Sequence, residues 1–213
     1  MKIISAADKP KILNRFTSID TLYEIVQNSK LKLSNPKFWE DKNDVEYIEA
    51  YKKKKLLKQV LALCFTDESE TIYHWKAFSE TINSCCIEFN AEKLLQLIDG
   101  KKGFRFGKVK YLKISELKKE LVNIDDIPFC KRYPYRNECE YRIIFDSTYP
   151  ISTKNINIDL SLINDVTINQ KININIYKNI KTELETKYNI NVIRSTVIKN
   201  TRWIKHIEGM KII

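Results

Sequence analysis

Glycine is scarce in this sequence, with only four among 213 residues, at Gly100, Gly103, Gly107 and Gly209. No G-x-G-x-x-G segment and no G-K-S or G-K-T segment is present. Those segments hold the phosphates of nucleotides on backbone N–H groups in Rossmann and P-loop proteins. Both fold types are therefore excluded, and a nucleotide would have to be held in another way.

Histidine and paired cysteines are also scarce. The five cysteines form no C-x-x-C pair and their number is odd, which argues against a zinc site or a disulfide framework. Cys85 and Cys86 lie in an apolar run and are expected to be buried, unreactive thiols. With two histidines, His74 and His206, and no G-x-S-x-G segment, a Ser-His hydrolase is not expected.

Long apolar runs are absent as well. No segment approaches the roughly 20 apolar residues that span a bilayer, and the first residues contain no apolar leader. We therefore expect a cytoplasmic protein with no membrane segment.

Positive charge is abundant: 37 Lys and Arg against 27 Asp and Glu give a net charge of +10. Such a surface attracts phosphates, whether of nucleic acid, nucleotides or acidic membranes. The richness in Lys, Asn and Ile is also what an AT-rich genome produces, so a solvated basic surface without function is the alternative. The cations that we predict to contact nucleic acid are Lys52, Lys53, Arg105, Arg136 and Arg142.

Hydrophobic periodicity predicts an α+β protein, in which strands and helices interleave irregularly. No Gly/Ser-rich linker divides residues 1–213, so we predict a single domain. The predicted strands are Leu13–Thr17, Lys30–Ser34, Gln59–Thr66, Ser84–Phe89, Phe104–Leu112, Glu140–Phe145, Ile156–Leu160, Asp165–Ile168 and Asn191–Ile198. The predicted helices are Thr21–Asn28, Val45–Lys55, Ser69–Phe78, Ala91–Ile98, Ile114–Val122 and Ile176–Tyr188.

Two short segments carry residues suited to binding a nucleotide. Arg15 on the first strand, beside the hydroxyls of Thr17 and Ser18, is able to hold a phosphate or a ribose. The segment Tyr73-His74-Trp75 offers aromatic rings that stack on a base or a nicotinamide. The alternatives are a surface arginine on an edge strand and rings packed in the core.

A carboxylate pair is the most distinctive feature. Glu138 and Glu140 stand two residues apart where a strand is predicted to begin, so both are expected to point to one face. Two acids aimed at one spot orient a nucleophile and stabilise a cationic transition state. The alternative is surface ion pairs with Arg136 and Arg142, each contributing about 0–1 kcal/mol.

The order of these motifs resembles an uncharacterised bacterial family over roughly residues 12 to 198. The shared pieces are R-F-T-S before a helix, L-K-L-S-N-P after it, C-F-T followed by a Trp, C-C-I-E-F, and E-C-E-Y-R-I-I. This pattern is in turn similar to the ADP-ribosyltransferase fold, especially its DarT-like branch that modifies nucleic acid. The resemblance implies a mixed, mostly antiparallel sheet with flanking helices.

The resemblance also implies a reaction, the transfer of ADP-ribose from NAD to a macromolecule, here a nucleic acid. It implies that Glu140 is catalytic, that Glu138 orients the acceptor, and that NAD is the substrate rather than a resident cofactor. It further implies a toxin or anti-phage effector with an antitoxin or chaperone partner. The residues that it assigns to NAD binding are Arg15, Thr17, Thr66, Tyr73 and Trp75. The sequence departs from the pattern at Phe16 and Thr66.

Two alternatives stay open. One is a non-catalytic RNA- or DNA-binding module that uses the basic stretches Lys52–Lys55 and Lys101–Lys110, with Phe104, Phe106 and Tyr111 stacking on bases. The other is a metal-dependent nuclease built on Asp41, Asp44 and Glu46, which lack close metal-ligand spacing.

Overall fold

The computed structural model describes residues 10–78, 81–117 and 123–208. The strands are β1 (Ile12–Ser18), β2 (Lys30–Leu33), β3 (Gln59–Thr66), β4 (Ser84–Asn90), β5 (Phe104–Lys108), β6 (Lys110–Leu112), β7 (Cys130–Arg132), β8 (Glu140–Ser147), β9 (Lys154–Asn157), β10 (Ile163–Ile168) and β11 (Asn191–Arg194). The helices are α1 (Ile19–Asn28), α2 (Lys42–Lys54), α3 (Ile72–Phe78), α4 (Ala91–Gln96), α5 (Ile174–Tyr188) and α6 (Thr201–Glu208). Short 3-10 helices cover Pro36–Phe38, Ile124–Phe129, Tyr133–Glu138 and Leu160–Leu162.

Seven strands form the main sheet in the order β11-β10-β4-β1-β3-β8-β5. Neighbouring strands are antiparallel except β10 and β11, which α5 connects and which run parallel. Two small sheets, β2-β9 and β6-β7, lie beside it. The predicted α+β class with a mostly antiparallel sheet is confirmed. No helix among the described residues combines the length and apolarity that a membrane crossing requires.

The two faces of the main sheet differ in chemistry because side chains alternate along each strand. The apolar face packs against α1 through Leu22, Ile25 and Val26, and carries the buried Leu13, Leu63, Ile87, Ile143 and Val166. The opposite face, called here the polar face, presents one cross-strand row of mostly charged or amide side chains. That row consists of Glu140, Thr66, Asn14, Glu88 and Asp165.

A fork opens in the middle of the main sheet. Strand β1 pairs along its whole length with β4 but meets β3 only at Asn14 and Thr66. Further along β3, Ala62 pairs instead with Ser34, which follows β2. The guanidinium of Arg15 lies in the fork and donates a hydrogen bond to the carbonyl of Cys64 at 3.1 Å.

Strongly patterned segments match their predictions most closely. Strand β3 has the predicted bounds, and Ser18 caps the start of α1 by accepting a hydrogen bond from the backbone of Thr21. Cys85 and Cys86 are buried as predicted, and burial raises the pKa of both thiols.

Other boundaries were wrong. The predicted strand Phe104–Leu112 is two strands in different sheets, because the backbone N–H of Val109 turns to the carbonyl of Glu140. Residues 114–117 form a turn rather than the start of a helix, and the rest of that prediction, 118–122, lies outside the described residues. Strand β9 begins and ends earlier than predicted, β11 ends at Arg194, and α6 was not predicted.

Candidate active site

The two predicted carboxylates meet at one ammonium group. Glu138 ends the 3-10 helix Tyr133–Glu138, Cys139 adopts a left-handed conformation with φ of 44°, and Glu140 begins β8. The side chain of Lys131, on β7, donates to Glu138 Oε2 at 2.5 Å and to Glu140 Oε2 at 3.3 Å. The acids therefore converge as predicted, but through a turn and a shared lysine rather than along a strand.

Arg142 lies beneath this pair and is fully buried. Its guanidinium donates to Glu140 Oε1 at 2.5 Å and Oε2 at 2.8 Å, to Asp44 Oδ1 at 3.0 Å and to the Pro128 carbonyl at 2.9 Å. It also lies over the Trp39 ring at 4.9 Å. The prediction that Arg142 contacts nucleic acid is therefore wrong, because its guanidinium is buried and paired with Glu140 and Asp44.

The environment separates the pKa values of the two glutamates. Burial raises the pKa of Glu138 to about 7, against the opposing pull of Lys131. Burial also disfavours ionisation of Glu140, but Arg142, Lys131 and Cys64 together outweigh it and hold the pKa of that carboxyl at about 2. Burial raises the pKa of Asp44 as well, although Arg142 opposes the shift. At neutral pH Glu140 is thus an anion, whereas Glu138 exchanges between its protonated and ionised forms.

A cavity of about 390 Å³ adjoins this cluster. Its charged and polar lining is Asn43, Asp44, Tyr47, Lys131 and Arg132, and its apolar lining is Leu112, Ile114, Leu117 and Cys130. Lys131, which bridges the two glutamates, therefore also faces this space. The cavity is in the size range of small-ligand pockets.

Aromatic rings frame the carboxylates. The Tyr111 hydroxyl accepts a hydrogen bond from the backbone N–H of Glu140 at 2.8 Å, and Lys131 lies over the Tyr135 ring at 4.8 Å. Tyr73, on α3, is half-buried, and its pKa is raised by burial and by the nearby Glu138 carboxylate. Tyr73 is thus a predicted binding residue that the fold brings close to the acids.

Thr66 is the cross-strand neighbour of Glu140, so the fold brings together this predicted pair too. The buried Asn14 is the next neighbour along the same row, and the sequence analysis missed it. Its amide donates to the Glu68 carbonyl at 2.9 Å and its Oδ1 accepts from the Cys86 thiol at 3.5 Å. The alternation of side chains along β1, which points Asn14 to the face opposite to that of the apolar Leu13, could have identified it from the sequence.

Arg15 and Thr17 lie elsewhere. Each is an odd number of residues from Asn14, so their side chains project from the side of β1 opposite to the row that contains Glu140. Burial lowers the pKa of Arg15. The side chains of Arg15 and Thr17 therefore point away from the row that contains Glu140, and their role in NAD binding stays a prediction.

Trp75 is also separated from the carboxylates. Its indole N–H donates to Glu70 at 2.7 Å, and its ring meets Phe16 edge-on at 5.1 Å between centroids. The adjacent His74 is buried between Phe16 and Phe78, and burial lowers its pKa. Trp75 lines a second cavity, and neither Glu138 nor Glu140 is among the described residues that line it.

Of the other predicted cations, two are engaged in local ion pairs and two are exposed. Arg105 donates to Asp146 and to the Asp125 carbonyl, and Lys52 pairs with Glu49 at 2.6 Å. Lys53 is exposed at the end of α2, and Arg136 is exposed on the 3-10 helix that ends at Glu138. Of these four cations, Arg136 is the exposed one that lies within a few residues of Glu138 and Glu140 in the sequence.

The exposed face of this 3-10 helix carries a ring flanked by cations. The Arg136 guanidinium lies 4.5 Å from the centroid of Tyr133, and the Lys113 ammonium lies 4.8 Å from the same centroid. Tyr133 is 36% exposed, so this cation-flanked residue lies at the surface.

Two of the three carboxylates of the nuclease alternative already have partners, whereas Glu46 is exposed. Both oxygens of Asp44 bind Arg142, and Asp41 caps α2 by accepting from the backbone of Asn43. In the described part of the chain, no group of three His, Cys, Asp or Glu side chains is arranged to hold a metal ion.

Solved structures of known proteins include chains that are similar to this one. No family model and no curated protein matches the chain. Thermus sp. 2.9 DarT in complex with NAD+ is similar with a TM-score of 0.44 and 10% identity, covering 90% of this chain and 98% of that chain. The same protein in complex with ADP-ribosylated ssDNA gives a TM-score of 0.43 and 11% identity, covering 90% and 97%. Because this similarity is low, the function proposed below rests on the contacts of the site.

Proposed function

We propose that this protein transfers ADP-ribose from NAD to a nucleic acid, with Glu140 as the catalytic carboxylate and Glu138 as the acid–base group. The observation that carries the proposal is the pair of carboxyls on one ammonium group, with pKa values of about 2 and about 7. Carboxyls whose environments separate their pKa values are a recurring acid–base arrangement.

Each carboxyl has a defined step. The bond between the ribose C1′ and the nicotinamide nitrogen breaks, and its electron pair leaves with nicotinamide. Glu140, anionic at neutral pH, stabilises the resulting oxocarbenium-like carbon. An acceptor atom of the nucleic acid forms the new bond to C1′ and gives its proton to Glu138, whose pKa near 7 suits both accepting and returning a proton.

The cavity beside the acids is the proposed place for NAD. Lys131 and Arg132 line it and offer cations for the pyrophosphate, while Tyr73 lies close enough to Glu138 to pack on the nicotinamide. Lys131 now contacts Glu140, so we expect a ribose hydroxyl of NAD to replace it there. Of the two candidate aromatic residues, this arrangement favours Tyr73 over Trp75.

The acceptor is proposed to bind across the exposed ring of Tyr133. A base stacks on an aromatic face while neighbouring cations hold its phosphates, and Arg136 and Lys113 flank this ring. The net charge of +10 adds a sequence-independent attraction. Because such modification would block replication or translation, the protein would act as a cytoplasmic toxin or anti-phage effector, held in check by an antitoxin or chaperone protein.

The test is incubation of the purified protein with labelled NAD and separate pools of RNA, DNA and cell protein. Glu140→Gln should lower nicotinamide release and labelling by at least about a hundred-fold, since an electrostatic contact to the transition state is lost. Glu138→Gln should lower labelling more than nicotinamide release. Glu46→Gln, which alters an exposed carboxylate on α2, is the matched control and should leave both unchanged.

A second function is favoured by one observation: both oxygens of Glu140 already accept hydrogen bonds, from Arg142 and Lys131. A site closed in this way suits a nucleic-acid-binding module without catalysis. Absence of nicotinamide release, together with salt-sensitive nucleic-acid binding that Glu140→Gln leaves intact, would replace the transferase proposal with this one.

A further inference from the structure

A second cavity, of about 310 Å³, opens at the end of the main sheet where β10 and β11 finish. These strands run parallel, so their carboxyl ends meet at the same edge, and the chain continues from β10 into Asn169 and from β11 into Ser195. Here β10 has the parallel β11 on one side and the antiparallel β4 on the other.

The walls of this cavity are fixed by hydrogen bonds. The Asn169 side chain donates to Ser84 at 2.9 Å and accepts from the backbone of Lys171 at 2.9 Å. The Gln170 side chain accepts from the backbone N–H groups of Ile198 at 3.0 Å and Lys199 at 3.1 Å. The cavity is therefore held open by the fold and requires little rearrangement to admit a ligand.

The lining combines apolar surface with positive charge. The residues are the apolar Ile72, Trp75, Ile82 and Ile198, the polar Thr81, Asn169, Gln170 and Ser195, and the cations Lys76 and Lys171. Among the described residues, no aspartate or glutamate lines the cavity, and neither lysine forms an ion pair. An anionic ligand with a flat apolar part matches this combination.

The cavity is distinct from the carboxylate site. Glu140 lies on β8, and β3, β1 and β4 separate that strand from β10. None of the residues that line the cavity beside Glu140 lines this one.

We propose that this second cavity binds a small planar anion of mononucleotide size, with the ring against Trp75 and the phosphate or carboxylate between Lys76 and Lys171. This binding is independent of the transferase reaction. Its volume of about 310 Å³ lies at the lower end of the range of small-ligand pockets.

The experiment is calorimetric titration of the full chain with adenosine 5′-monophosphate and, separately, with adenosine. The monophosphate should bind about ten-fold more tightly, since two ammonium groups face the phosphate. The double variant Lys76→Ala/Lys171→Ala should remove that difference. Lys53→Ala/Lys58→Ala removes the same charge from exposed positions outside the cavity and is the matched control.

Two further variants separate the outcomes. Ile198→Trp fills the cavity mouth and should weaken binding of both ligands, whereas Glu140→Gln should leave binding unchanged. Failure of the wild type to bind the monophosphate at millimolar concentration would overturn the proposal, as would equal losses in the two lysine double variants. Loss of binding in Glu140→Gln would show one continuous site and would also overturn it. Nicotinamide release plays no part in these measurements, so the transferase proposal can fail without affecting them.

Discussion

Replacing Arg142 by methionine tests whether the carboxylate cluster depends on one buried cation. Methionine preserves most of the side-chain volume but removes the hydrogen bonds that Arg142 donates to Glu140 and Asp44. Both carboxylates are almost completely buried, so water cannot replace the guanidinium without opening the fold. Lys131 would remain the only nearby cation among the described residues, within 3.3 Å of Glu140 and 3.8 Å of Asp44.

The expected loss follows from the cost of an uncompensated buried charge. Breaking one buried ion pair by removing a partner costs about 3–5 kcal/mol. Arg142 pairs with two carboxylates, while Lys131 compensates in part, so we expect the free energy of unfolding to fall by about 4 kcal/mol. That is a large share of the roughly 5–15 kcal/mol that stabilises a typical domain.

Urea unfolding, followed by circular dichroism and tryptophan fluorescence, measures this loss, and Trp39 against Arg142 serves as a local probe. The triple variant Arg142→Met/Glu140→Gln/Asp44→Asn should recover much of the stability, because the amides leave no unpaired charge. A loss below about 1 kcal/mol for Arg142→Met, the range of exposed ion pairs, would refute this account of the cluster. Failure of the triple variant to recover stability would refute it as well.

Three further predictions follow from single contacts. Burial raises the pKa of Glu138 to about 7, against 4.5 for the free side chain, so its contribution to stability is lost as the pH rises from 4.5 to about 7. In urea unfolding at a series of pH values, Glu138→Gln should therefore flatten the decline in stability over this range, and an unchanged slope would contradict the assignment. Tyr133→Ala should weaken binding of a single-stranded oligonucleotide by about 1–3 kcal/mol in fluorescence anisotropy. Tyr149 is 75% exposed and has no cation over its ring among the described contacts, so Tyr149→Ala should not weaken binding, and equal effects would exclude Tyr133 as the stacking surface. Gly103→Ala should lower the stability by about 1–3 kcal/mol in thermal unfolding, since Gly103 has a φ of +86° and a Cβ there would meet the Asp146 carbonyl oxygen and the Phe145 ring at 2.9 Å. Gly100→Ala, with a φ of +71° and open space around the Cβ, should cost less, and similar losses would attribute the effect to backbone conformation alone.

Much of the secondary structure was readable from local pattern. Strand β3 is apolar at nearly every position because it is central in the sheet, and its bounds were predicted correctly. The prediction failed where tertiary contacts decide, as at Val109, where a backbone hydrogen bond to Glu140 ends one strand and lets the next join another sheet. Nothing in the local alternation of that segment marks this break.

The candidate site shows the same division. Glu138 and Glu140 could be selected because two acids near a strand start are unusual, and the fold brings Tyr73 and Thr66 close to them. Asp44 could not be linked to them, because it is 98 residues from Arg142 in sequence and meets it only in the folded chain. Lys131 was likewise missed, since a lone lysine in a loop-like segment carries no pattern.

The sequence by itself determined the α+β class, the net positive charge and the presence of a carboxylate pair, because composition and local periodicity express these properties directly. Only the tertiary structure decided which side chains share a face. A shift of one residue along a strand reverses the direction of a side chain, and this separates Arg15 from Glu140 although both are on central strands. The tertiary structure also decided that Arg142 is an internal counter-ion and that Trp75 lines a separate cavity, because burial depends on the strands and helices that pack against a residue.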